Sequence, residues 1–114
     1  MNSKFELLLG DTVEYLGIKL FRIRSLNSFG NVKAGDIGGY IEKEDNLSIY
    51  GKAWVSGNAR VYGDARVYGD AMVSCDAWVS GDARVYGDSE VDGRNYGYKC
   101  DYNIESFEME FEND

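Results

Sequence analysis

From position 63 to 88 the chain reads GDARVYGDAMVSCDAWVSGDARVYGD, a six-residue unit that keeps returning with few changes. Aliphatic residues recur at Ile49, Val55, Val61, Val67, Val73, Val79, Val85 and Val91. Two places ahead of the valines stand small residues, at Ala53, Ala59, Ala65, Ala71, Ala77, Ala83 and Ser89. Because a strand points successive side chains to opposite faces, each unit reads alanine in, variable residue out, valine in, variable residue out. The Gly-Asp or Gly-Asn pair then turns the chain, glycine supplying backbone angles that other residues avoid. A helix cannot satisfy a period of six at this glycine density, and a hairpin meander needs longer strands. Short strands that each form one wall of a stacked coil can.

The totals agree with such a fold. With 114 residues the chain can build one domain with a modest core, and its 14 glycines, 9 tyrosines and absent proline suit a turn-rich β protein. No apolar run approaches the roughly 20 residues that span a bilayer, and the N-terminus shows no secretory h-region, so a cytoplasmic location is expected. Cys75 and Cys100 are too few for a disulfide framework or a metal site, and Cys75 takes the place of a corner glycine. The net charge is −8, unevenly spread: the first 100 residues hold 14 acids against 12 bases, and the last 14 hold six acids and no base. That balance disfavours direct binding to a nucleic-acid backbone.

The segment FRIRSLNSFGNVKAGDIGGYIEKEDNLS (21–48), followed by GNARVYGDARVYG (57–69), resembles uncharacterised hexapeptide-repeat proteins of bacteria and their phages. The resemblance covers roughly residues 19–94 and implies a left-handed, triangular β-helix with about 18 residues per coil. Handedness comes from the resemblance alone, since spacing cannot supply it and the usual crossover rule favours the other hand. The fold expected is therefore all-β: a short left-handed parallel β-helix over 47–94, an N-terminal β cap over 1–46, and an acidic C-terminal strand or tail over 95–114.

Open coil ends present strand edges that invite association, and both flanks read as answers to this. KFELLL and IKLFRIRSL are strand-like runs, the second alternating Leu20, Arg22, Arg24 and Leu26 around Phe21, Ile23 and Ser25. In the tail, FEMEF alternates Phe107, Met109 and Phe111 against Glu108 and Glu110, a half-buried strand pattern. It either caps the last coil, offers carboxylates to an arginine-rich groove as a nucleic-acid mimic would, or is a solvated terminus. Dimerisation or higher self-association through an end or a wall is expected.

Many hexapeptide proteins are acyltransferases that use histidine as general base, and this chain has no histidine. No catalytic residue, cofactor or metal is expected. The turn aspartates Asp64, Asp70, Asp76, Asp82 and Asp88 lack the nine-residue calcium repeat, and aspartate at a turn needs no metal.

Interest falls on the outward positions. Residues 18 apart should stack, placing Arg66 over Arg84 and Tyr68 over Tyr86 on one wall. A second wall carries Trp54 and Met72 with Ser56 and Ser74. The third carries Arg60 and Trp78 with Tyr62 and Ser80. Exposed aromatics beside arginines suit a protein interface, a stacked ligand, or simply a stabilising ladder. The candidate partner-binding residues are thus Trp54, Arg60, Tyr62, Arg66, Tyr68, Trp78, Arg84 and Tyr86, with Glu105, Phe107, Glu108, Glu110, Phe111 and Glu112 from the tail. The function expected is non-catalytic protein binding. The resemblance to phage proteins suggests an inhibitor of a bacterial defence system such as CRISPR. Its partner would be a host protein, for instance a nucleic-acid-binding effector met in the host cytoplasm, with neither nucleic acid nor membrane bound directly. The rival readings are a self-associating scaffold and a ligand-binding or degenerate transferase-like protein.

Overall fold

A computed structural model describes residues 2–88, 90–91, 103–105 and 108–111, the last three segments as backbone. Its long strands come first. β1 (Phe5–Tyr15) and β2 (Ile18–Ser25) form an antiparallel hairpin, and β2 then pairs antiparallel with β3 (Ile37–Ile41). After a 3-10 helix, Glu44–Asn46, the strands shorten abruptly: β4 (Trp54–Val55), β5 (Arg60–Val61), β6 (Arg66–Val67), β7 (Met72–Val73), β8 (Trp78–Ser80), β9 (Arg84–Gly87) and β10 (Glu90–Val91). β11 (Asn103–Glu105) and β12 (Glu108–Phe111) complete the order.

The six-residue step becomes three walls. β4 pairs in parallel with β7, β5 with β8 and β6 with β9, in each case valine on the valine 18 residues along. Between coils the backbone repeats one bond: Trp54 N–H donates to Ala71 C=O, Arg60 N–H to Ala77 C=O, Arg66 N–H to Ala83 C=O. Every alanine from Ala53 to Ala83 and every valine from Val55 to Val85 in the two columns is fully buried. Each small-plus-branched pair therefore fills one rung of a narrow core, as the alternation requires.

The first coil departs from this pattern, and so does the expectation for Ile49. Ile49 is 45% exposed, whereas Leu47 is buried and bridges Val67. The inward column runs Ile41, Leu47, Val55, with eight residues instead of six across the last step. Two residues are thus added at that corner, and Ile49 and Tyr50 are pushed out of the column. Parallel pairing begins in β3, ahead of residue 47, with Tyr40 opposite Arg60 and Ile41 opposite Val61. β3 needs glycine here: a Cβ on Gly38 would sit 2.5 Å from the Val55 carbonyl oxygen.

At the corner before Leu47 a side chain replaces the backbone ladder. Asn46 is fully buried. Its Nδ2 donates to the carbonyls of Ala65 at 2.8 Å and Gly63 at 3.2 Å. Its Oδ1 accepts from the backbone N–H groups of Glu42 at 3.0 Å and Lys43 at 2.9 Å. All four bonding positions of the amide are used, so the 3-10 helix can leave strand geometry without orphaning the coil beneath it.

The hairpin also differs from a simple end cap. β1 outlasts the run KFELLL because an irregularity between Leu8 and Thr12 absorbs the intervening residues and pairing resumes to Tyr15. The strict alternation expected in β2 fails as well. Leu20, Ile23 and Ser25 are buried, and Leu20 lies outside the core that Ile23 and Phe5 join. The reason is a change of side: Tyr15 packs against Trp78 and Tyr62, which face outward from the wall of β5 and β8. One half of the hairpin closes the first coil, and the other lies over the outside of a wall.

At the far end β10 pairs with β7, β11 with β8 and β12 with β9, all parallel. The tail thus contributes rungs to two walls. The spacing changes there, Trp78 pairing with Asn103 and Arg84 with Glu108, so the hexad does not continue through these strands.

Two stability outcomes follow from this geometry. Asn46→Ala leaves the Ala65 and Gly63 carbonyls and the Lys43 N–H without their partner, while the Glu42 N–H keeps the Val61 carbonyl, and should cost about 3 kcal/mol in urea denaturation; Asn46→Asp, which cannot donate, should cost a comparable amount. Cys75 holds φ at +59° where the coil above turns at Gly57 with φ +63°. A non-glycine residue in this region costs about 1–2 kcal/mol, offset partly by the lost backbone freedom of glycine, so Cys75→Gly should gain about 0.5–1 kcal/mol in the same assay.

Candidate binding surface

The three walls expose very different outer faces. On the wall of β4 and β7, Trp54 is only 2% exposed, its ring meeting Phe29 edge-on at 5.5 Å between centroids. The expectation of an exposed Trp54 is corrected by the 29–32 loop, which covers it. On the wall of β5 and β8, Arg60 stacks over Trp78 at 5.0 Å, its Nε buried without a hydrogen-bond partner. Tyr15 then covers both Trp78 and Tyr62, with centroids at 4.6 and 5.9 Å. One strand over, the Arg22 guanidinium lies 4.3 Å from the Tyr40 ring, and its NH2 donates to the Tyr40 hydroxyl at 2.6 Å. Arginine and aromatic residues alternate across this face, and much of the ladder serves the chain's own packing.

The wall of β6 and β9 is different. Arg66 and Arg84 are both exposed on adjacent rungs, as expected from the 18-residue step. Tyr68 and Tyr86 stack with centroids 5.1 Å apart and planes 3° from parallel. Glu108 follows Arg84 in register and Glu110 follows Tyr86, while Phe111 lies opposite Gly87 and Glu105, on the neighbouring wall, opposite Ser80. Phe107 and Glu112 lie outside the described residues. Glu108 and Glu110 therefore occupy rung positions next to the arginine and tyrosine rows.

Above Arg66 and Tyr68 an open groove of about 530 Å³ runs to the first coil, bordered by Glu44, Asp45, Ile49 and Tyr50. Sequence reasoning missed its rim. The signal was present in the six-residue step from Ile41 to Leu47, which marks Ile49 and Tyr50 as additions. Their corner is held from beneath by Lys4, whose Nζ donates to the Ser48 carbonyl at 2.8 Å and the Tyr50 carbonyl at 3.5 Å and lies 4.8 Å from the Phe29 ring centre. Burial lowers the Lys4 pKa from 10.5 to about 8, outweighing the Asp70 charge, which acts in the opposite sense. Among the described residues no cluster of acids, cysteines or histidines is arranged to hold a metal ion, and no helix is long and apolar enough to cross a membrane. Asp64 instead meets Lys43 at 3.3 Å.

With this geometry in view, residues 53–67 and 65–81 match the family model described as the YdcK beta solenoid repeat. The match lies within the regular coils and includes neither the hairpin nor the rim of the groove. No curated protein matches the chain. The similarity supports a repeat β-solenoid, and it leaves the function to be argued from the surface.

Lys4 generates a pH dependence. The folded chain holds this proton less tightly than the unfolded one, so the unfolded state binds more protons between pH 8 and 10.5. Stability should therefore rise with pH across that window, the penalty of burying the charge being fully present below pH 8. Denaturation midpoints of the wild type measured against Lys4→Met, from pH 7 to 10.5, should show this rise in the wild type only.

Proposed function

We propose that the chain is a non-catalytic protein-binding module that engages its partner through the wall of β6 and β9, with a left-handed coil as the hexapeptide resemblance implies. The observation that carries this reading is the uneven covering of the outer faces. Trp54, Tyr62 and Trp78 are packed under the chain's own Phe29 and Tyr15. Arg66, Tyr68, Arg84 and Tyr86 form a flat ladder with an open groove beside it. Tyrosine and arginine are the residue types in which interface centres are enriched. The absence of histidine from the whole chain weighs against the acyltransferase chemistry of other hexapeptide proteins. The phage resemblance makes a bacterial host protein, such as a defence effector, the partner to seek first.

The ladder can be removed without removing the fold, because Ser56, Ser74 and Ser80 already stand at the hexad position of Tyr68 and Tyr86. The double variant Tyr68→Ser/Tyr86→Ser should keep the wild-type circular dichroism spectrum and lose retention of a stoichiometric partner from bacterial lysate by about tenfold or more. Lys19→Glu, an exposed change on the hairpin, should retain it. Equal capture by wild type and double variant would remove the ladder from the interface. Growth of particle size with concentration in light scattering, without any partner, would favour self-association instead.

A further inference from the structure

The groove beside the ladder has two features that protein folding alone does not require. The first is Arg66. Arg22 bonds the Gly38 carbonyl and Tyr40 and pairs with Asp11, Arg24 pairs with Glu6, Arg60 stacks on Trp78, and Arg84 has a partner of its own. Arg66 is exposed at the edge of the groove and, among the described residues, has no hydrogen-bond or ion-pair partner. A guanidinium with five donors in a planar fork, in a groove that Ile49 and Tyr50 border on one side, is a receptor for a planar anion.

The second feature is the added corner. Ile49 is 45% and Tyr50 77% exposed, so neither side chain serves the core. Yet the corner is firmly built: Tyr50 N–H donates to Ser48 Oγ at 3.0 Å, and the buried Lys4 Nζ reaches both carbonyls from below. The chain bears the cost of burying a lysine to hold two apolar side chains out in solvent. Rigid placement of exposed apolar groups lowers the entropy lost when something docks on them.

We propose that this groove binds an extended, acidic–apolar peptide segment of the partner, with one Asp or Glu carboxylate on the Arg66 guanidinium and the adjacent apolar side chain against Ile49 and Tyr50. The inference rests on the protein-binding reading and names the chemistry of the segment recognised. Charge selects a single carboxylate over a nucleotide. Glu44 and Asp45 border the same groove, and they would repel the multiple charges of a phosphate ester more strongly than one carboxylate. They would also suit the backbone N–H groups of an extended peptide as acceptors.

The test uses the full chain and the probe peptide acetyl-Gly-Leu-Glu-Leu-Gly-amide, followed by NMR titration. Binding should shift the backbone resonances of residues 49, 50 and 66. Replacing Glu in the peptide by Gln should weaken binding about tenfold, as loss of a charge-assisted bond does. Arg66→Gln should weaken the Glu peptide equally, and it should leave the Gln peptide unchanged, so that the two losses do not add. Tyr50→Ala should weaken the Leu-flanked peptide and leave a Gly-flanked Glu peptide unaffected. The proposal is overturned if Arg66→Gln binds both peptides as the wild type does, or if the shifts map away from the groove. Saturable, Arg66-dependent binding of adenosine monophosphate with no peptide binding would overturn it in favour of a nucleotide site. Partner capture lost in Tyr68→Ser/Tyr86→Ser, with no Arg66-dependent peptide binding, would leave the protein-binding reading standing and sink this one. Arg66-dependent peptide binding without any partner capture through the ladder would sustain the groove and sink the ladder.

Discussion

The whole molecule hangs on one repeated hydrogen bond, from the N–H of one coil to the carbonyl 17 residues further along, as in Trp54 to Ala71 and Arg66 to Ala83. That bond demands a constant number of residues per coil. It keeps alanine over alanine and valine over valine, and it leaves the intervening side chains in straight rows. A change of one residue within a strand would turn buried valines toward solvent, so variation is confined to corners and ends.

The first coil shows how such a variation is absorbed. Two residues enter between Leu47 and Val55, and the 3-10 helix before them interrupts the wall. Asn46 supplies from its amide the bonds that the absent strand would have made. The extra residues then have nowhere to go except outward, and Lys4 fixes where they go. A groove on the outside is thus the direct consequence of an irregularity on the inside.

The N-terminal segment sorts the three walls. Phe29 closes over Trp54, and Tyr15 over Trp78 and Tyr62. Trp54 is thereby buried and Trp78 and Tyr62 half-buried, whereas Arg66 and Arg84 stay exposed on their own wall. The acidic strand β12 lies in the same sheet as those rungs, with Glu108 beside Arg84 in register.

Much of this architecture was legible in the hexad. Period six with alanine and valine two apart implies stacked short strands with set inward and outward positions, because strand alternation is a local property of the backbone; the 18-residue stacking distance, and with it the rows Arg66–Arg84 and Tyr68–Tyr86, came from the hexapeptide resemblance. The place of Ile49 was misjudged for a related reason: counting back by six from Val55 lands on it, and only burial distinguishes it from Leu47. Within the regular coils, what points outward was determined by sequence alone; what remains exposed was decided by tertiary structure. Covering Trp54 takes a loop more than 20 residues earlier, and covering Trp78 takes Tyr15 from the first hairpin. Such contacts depend on where the chain bends in space, and no local periodicity carries that information.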